Sequence, residues 1–116
     1  MNLLEIILDP ETLYQRQTFN IDVGSESKRI TFELRYLFKP GKWYFSFYDA
    51  QSSEPLCTYV PLVASYGQIN DLLEPFGYKD IGHMACIPAV DEPSSQDPGQ
   101  YNLSEFRLIW GDSFAA

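Results

Sequence analysis

The sequence is short of basic residues: eight Lys and Arg stand against sixteen Asp and Glu, for a formal charge of −8. Phosphate recognition draws its affinity from clustered Lys and Arg. No such cluster exists here, which excludes a nucleic-acid groove. The acidic balance would suit a basic surface on a protein partner, and it equally serves plain solubility. Cysteine is scarce too. Cys57 and Cys86, with no export signal ahead of them, read as reduced, unbridged thiols made in a cytosol. Long hydrophobic runs are missing. The stretch MNLLEIILDP is interrupted by Glu5 and has no basic leader, so it predicts neither a signal peptide nor a membrane span. Also absent are GxSxG, a Walker loop and a dinucleotide fingerprint, which leaves no motif to carry catalysis.

What is present is aromatic and alternating. A length of 116 residues, 45% hydrophobic and 16% aromatic, fits one domain with a single core, 1–116, that needs no metal or disulfide staple. Frequent Tyr and Phe suit a pleated surface better than a helical bundle. From Lys28 to Pro61 the pattern is period two. Ile30, Phe32, Leu34, Tyr36 and Phe38 share one face, and Thr31, Glu33 and Arg35 the other. Lys39-Pro40-Gly41-Lys42 is a turn, after which Trp43, Phe45 and Phe47 alternate with Tyr44, Ser46 and Tyr48. The two arms predict an antiparallel hairpin, and a break at residues 49–53 leads to a third strand, Leu56 to Val60.

Elsewhere, Leu3 to Leu8 reads as a first strand ended by Asp9-Pro10, and Thr18 to Val23 as a second joined through Gly24-Ser25-Glu26-Ser27. One short helix is expected near residues 66–74, with Ile69, Leu72 and Leu73 on one side and Pro75 and Gly77 ending it. Asp80 to Pro88 returns to a strand, and Leu103 to Trp110 supplies the last. Between them Asp91 to Gln100 is an acidic, Pro-rich loop with almost nothing to bury, the expected mobile segment. The fold class is all-β, mainly antiparallel: a single β-sandwich or open barrel built from a meander.

Candidate chemistry is thin. His83, Cys86 and Cys57 would make a three-ligand zinc set, but strand geometry puts His83 and Cys86 on opposite faces. Asp71 and Glu74 would share one face of the helix, where such pairs ordinarily meet solvent. The expectation is no catalytic set, no cofactor and no metal site.

Five stretches carry a family resemblance. Thr18-Phe19-Asn20-Ile21, Phe32-Glu33-Leu34-Arg35-Tyr36, Trp43 to Asp49, Pro61-Leu62-Val63 and Phe106-Arg107-Leu108-Ile109-Trp110 follow the strand pattern of the baseplate plug proteins of tailed phages, first described in a cyanophage. The chain resembles that family over most of residues 17 to 110. The resemblance implies a non-enzymatic virion structural protein of the tail tube or baseplate centre, a plug or hub component made in the host cytoplasm. Its partners would be other tail and baseplate proteins, in a cyclic homo-oligomer, with no nucleic acid and no membrane.

Two functions compete on the residues. As a structural subunit, the protein would assemble through β edges and through an outward aromatic surface, Tyr44, Tyr48 and Tyr59, with Asp91, Glu92 and Asp97 of the acidic loop reaching a neighbour. As a small-molecule or carbohydrate-binding β domain, it would line a cleft with Trp43, Trp110 and tyrosines. Burial separates the two, because a cleft keeps two or more aromatics exposed in a concave pocket.

Overall fold

The computed structural model describes residues 2–114, and these fold into two antiparallel sheets. The chain runs β1 (Leu3–Ile6), β2 (Tyr14–Val23), β3 (Glu26–Leu37), β4 (Lys42–Asp49), β5 (Pro55–Pro61), β6 (His83–Pro88) and β7 (Phe106–Gly111). The central meander forms as its alternation requires, a four-stranded sheet in the order β2-β3-β4-β5. A second sheet, β1-β7-β6, brings the first strand against the last. Neither sheet closes on itself, so of the sandwich and the open barrel it is the two-sheet arrangement that forms.

Between the sheets lies one continuous core. The meander contributes Ile21, Ile30, Phe32, Leu34, Trp43, Phe45 and Phe47, and the smaller sheet contributes Ile6, Met84, Cys86, Leu108 and Trp110. Phe32 packs 6.0 Å from Phe45 and 5.9 Å from Phe47 between ring centroids, within the range where aromatic pairs gain beyond simple burial. Trp43 is fully buried and meets Tyr36 edge-on at 5.3 Å. Phe38, the last residue of the inward series, lies past the end of β3 and is exposed.

The turns follow local chemistry. Val23 faces Glu26 across a two-residue loop in which Gly24 supplies φ 63°, the glycine-first form that matches strand twist. Asp49 closes the β4–β5 turn: its Oδ1 accepts the backbone N–H groups of Gln51 and Ser52, and those bonds, Ser52's foremost, hold its carboxyl below the usual value.

The helix near residues 66–74 is corrected in place and type. A 3-10 turn forms instead over Glu74–Lys79, with Pro75 at its start and Asp80 left-handed at its end. Residues 62–73 are occupied otherwise. Ala64 makes a parallel bridge with Cys86, Ser65 N–H donates to Cys86 C=O at 2.7 Å, and Leu72 N–H donates to Met84 C=O at 2.7 Å. Backbone groups spent on the edge of β6 are not free to close helical turns. A second 3-10 turn, Leu103–Glu105, precedes β7, so the last strand starts at Phe106 rather than Leu103.

The loop after β6 is anchored, contrary to the expectation of a segment with nothing to bury. Pro98 is buried, the Trp43 indole N–H donates to Gly99 C=O at 2.7 Å, and Asn102 accepts from Gly99 N–H while donating to Ser95 Oγ. Among the described residues no buried side-chain nitrogen or oxygen lacks a partner.

Trp43→Ala empties a large aromatic site and releases this loop, so it should lower stability by ~3–5 kcal/mol, read by chemical denaturation. Gly82 has φ 85° and a Cβ there would lie 2.5 Å from the Trp110 ring. Gly82→Ala should therefore cost ~1–3 kcal/mol from overpacking alone, checked by the same measurement.

Candidate functional site

The outer face of the meander sheet is where the expected interface tyrosines gather. On β3 the outward residues are Thr31, Glu33 and Arg35. The register sets Arg35 between Tyr14 and Tyr44, Glu33 between Arg16 and Ser46, and Thr31 between Thr18 and Tyr48. Tyr14 Oη donates to Glu33 Oε1 at 3.2 Å, and the Arg35 guanidinium lies 5.0 Å from the centre of the Tyr14 ring, within cation–π reach.

Tyr59 joins this face through a bulge. Cys57 opposes Phe47 and Val60 opposes Phe45, so Thr58 and Tyr59 together face the single Ser46, the two-against-one geometry that re-aims a side chain. Tyr59 takes φ 52°, and its N–H donates to Ser46 Oγ at 3.1 Å. Cys57 and Tyr59 would share a face in a regular strand. Here Cys57 is buried while Tyr59 is 58% exposed.

The structure thus brings Tyr44, Tyr48 and Tyr59 together around one depression with Glu33, Arg35 and Ser46. Tyr44 and Tyr48 are half-buried. Asp91, Glu92 and Asp97 lie on the loop after β6 and do not line it. Asp91 and Glu92 are exposed. Asp97 is half-buried and has a structural task, accepting Ala64 N–H on Oδ1 at 2.9 Å.

The depression holds about 20 Å³, far below the ~300–1,000 Å³ of ligand pockets. It is a small hollow between these side chains. Two larger cavities, about 290 and 590 Å³, each have one aromatic in their lining, Phe106 and Tyr66 respectively. Trp43 and Trp110 line none of these; both are buried, and Trp110 donates its indole N–H to Ile81 C=O at 2.7 Å. The aromatic cleft of the carbohydrate-binding alternative loses both of its tryptophans and keeps only tyrosines.

The remaining polar groups do structural work. Asp71 pairs with His83 rather than Glu74, His83 Nδ1 to Asp71 Oδ2 at 2.6 Å. The other oxygen of Asp71 accepts the N–H groups of Leu73 and Met84, so this carboxylate ties the chain before the 3-10 turn to β6. Cys86 is fully buried on the other side of β6 from half-exposed His83. No group of three or more His, Cys, Asp or Glu among the described residues is placed to hold a metal. Burial pushes the Cys57 thiol up to about 11 and the Cys86 thiol up to about 12.

Sequence reasoning did not connect Tyr14 to this face, because it began β2 at Thr18. The inward positions just before are Gln15 and Gln17, which break the apolar alternation. Their amides bond the chain that follows β1: Gln17 Nε2 donates to Ile7 C=O, and Gln15 exchanges bonds with the backbone of Asp9. The available signal was Tyr14 and Arg16 alternating with two amides.

Fold and surface together define a class: an open two-sheet β protein with tyrosine and arginine side chains gathered on the outer face of its larger sheet. The family model described as cyanophage baseplate Pam3 plug gp18 matches residues 3–113, and the chain belongs to that family. No curated protein matches the chain.

A buried neutral thiol stabilises the fold fully below its ordinary value of 9.0, and that contribution is lost as pH rises from there towards the raised folded values, since the unfolded chain ionises first. The double variant Cys57→Ala/Cys86→Ala should therefore show a shallower alkaline loss of stability than the parent. Denaturation midpoints measured across that pH window check it.

Proposed function

We propose that the protein is a non-enzymatic structural component of the phage virion, a plug or hub element at the centre of the tail baseplate. It assembles there with other tail and baseplate proteins as a single β domain over 1–116. The observation that carries this reading is the family match over residues 3–113, and the tyrosine-rich outer face supports it. Tyr and Arg are among the residues enriched at protein interfaces and at their energetic centres, and Tyr14, Arg35, Tyr44, Tyr48 and Tyr59 supply both types on one sheet.

In this reading Tyr44, Tyr48 and Tyr59 contact a neighbouring baseplate subunit, with Asp91 and Glu92 as a separate acidic contact for a basic one and Asp97 holding their loop in place. The protein also forms a cyclic homo-oligomer through an unpaired sheet edge. No helix among the described residues is long and apolar enough to cross a membrane. Catalysis has no place in this role.

The test is a tagged chain expressed during phage production, followed by mass spectrometry and electron microscopy of purified tails. Tag density at the baseplate centre is the expected result, and a chain absent from purified tails would overturn the reading. The triple variant Tyr44→Ser/Tyr48→Ser/Tyr59→Ser should keep its far-UV circular dichroism yet be depleted at least about tenfold from tails, since interface tyrosines contribute more than ~1 kcal/mol each where they are hot spots.

A further inference from the structure

The edge of β2 is open, and its free stretch has a register of its own. Backbone groups of a hairpin strand point alternately towards and away from the partner strand. Leu13 C=O accepts Tyr36 N–H at 2.9 Å, which continues the β2–β3 register by one residue, so odd-numbered residues of β2 bond β3 and even-numbered ones point outward. Tyr14 is closed locally, because Thr12 Oγ1 accepts its N–H and donates to its C=O. At the other end Gly24 turns the chain into β3. The outward backbone that remains belongs to Arg16, Thr18, Asn20 and Asp22, centred on Phe19.

From this geometry we infer that the edge pairs with the β2 edge of a second copy of this chain, antiparallel about a two-fold axis at Phe19. The inference rests on the assembly reading above and specifies the symmetry of its homo-oligomer as two-fold at this edge. In that register Arg16 faces Asp22 of the other copy twice, Thr18 faces Asn20 twice, and Phe19 faces Phe19. Shifting the axis by one residue either way keeps the backbone pattern but separates Arg16 from Asp22 and leaves part of the free stretch unpaired.

Three further observations fit this occupant. Among the described residues no ion pair engages Arg16 or Asp22, and both are exposed. Phe19 is only half-buried although its ring packs on Phe32 and Phe47, so a second Phe19 would extend the core across the seam. The opposite edge is a poor mate: β5 begins and ends in proline and is broken by the bulge, devices that block edge pairing. A head-to-tail ring of β2 on β5 is thereby disfavoured, and self-pairing of β2 is left.

The full chain is taken through sedimentation velocity across the micromolar range, alongside Arg16→Asp, Asp22→Arg and the double swap. A dimer is expected for the parent. Each single reversal turns two attractive cross-strand pairs into repulsive ones and should weaken dimerisation at least about tenfold, while the double swap should restore it. Oxidised Phe19→Cys should form a covalent dimer, since opposed non-bonded positions lie ~4.5 Å apart at Cα, inside disulfide range. A monomeric parent, or a dimer indifferent to the single reversals, would overturn the inference. Tag density in purified tails is read independently, so a chain that is monomeric yet present at the baseplate refutes the pairing alone.

Discussion

Two buried indole N–H groups organise more of this molecule than any salt bridge. Trp43 and Trp110 fill the space between the sheets, and a buried donor left unpaired costs ~1–3 kcal/mol. Each finds its acceptor on a connection rather than a strand: Trp43 on Gly99 C=O and Trp110 on Ile81 C=O. The largest side chains of the core thus fix the two irregular segments that flank β6. That coupling explains why the acidic loop is anchored at its second half while Asp91 and Glu92 at its first half stay exposed. It also explains Gly82, whose α-carbon lies where the Trp110 ring leaves no room for a Cβ.

The four sheet edges are managed unequally. β6 is covered by residues 64–72 through a bridge and two backbone hydrogen bonds. β5 is blunted by Pro55, Pro61 and the bulge at Tyr59, and β1 is only four residues long. β2, at ten residues, is the long edge with none of these devices along Arg16 to Asp22. An edge left open among three that are closed is a place for pairing, because an unprotected strand of that length otherwise invites aggregation. The same strand carries charge of both signs on its outer face, which selects a register where a purely apolar edge would slip.

Legibility in the sequence tracked how much each segment depended on distant partners. The hairpins of the meander were readable because alternation and turn residues are local: Ile30 to Tyr36 and Trp43 to Phe47 point where period two sends them. The sorting of strands into sheets was not, since pairing β1 with β7 joins residues at opposite ends of the chain and no local pattern encodes it. The helix near 66–74 was misplaced for the same reason. Ile69, Leu72 and Leu73 look amphipathic, but Ser65 and Leu72 spend their backbone on β6, and Ile69 is exposed. The outer aromatic face was half legible. Tyr44 and Tyr48 follow from alternation, whereas Tyr59 reaches the same face only through a bulge, and Tyr14 was hidden behind glutamines that work as backbone substitutes.

The aromatics of the larger sheet are divided between its two faces. On the inner face Phe32, Phe45, Phe47 and Trp43 are apolar or fully satisfied, and their packing holds the backbone of β3 and β4 in place. On the outer face the alternate residues of the same strands are Tyr, Arg, Glu and Ser, amphipathic groups that tolerate water until a partner arrives. A β sheet with a rigid core on one side presents its other side as a preorganised surface, so docking there costs little ordering of the backbone. One strand pair, β3 and β4, positions both the core between the sheets and the Tyr, Arg and Glu side chains of the outer face.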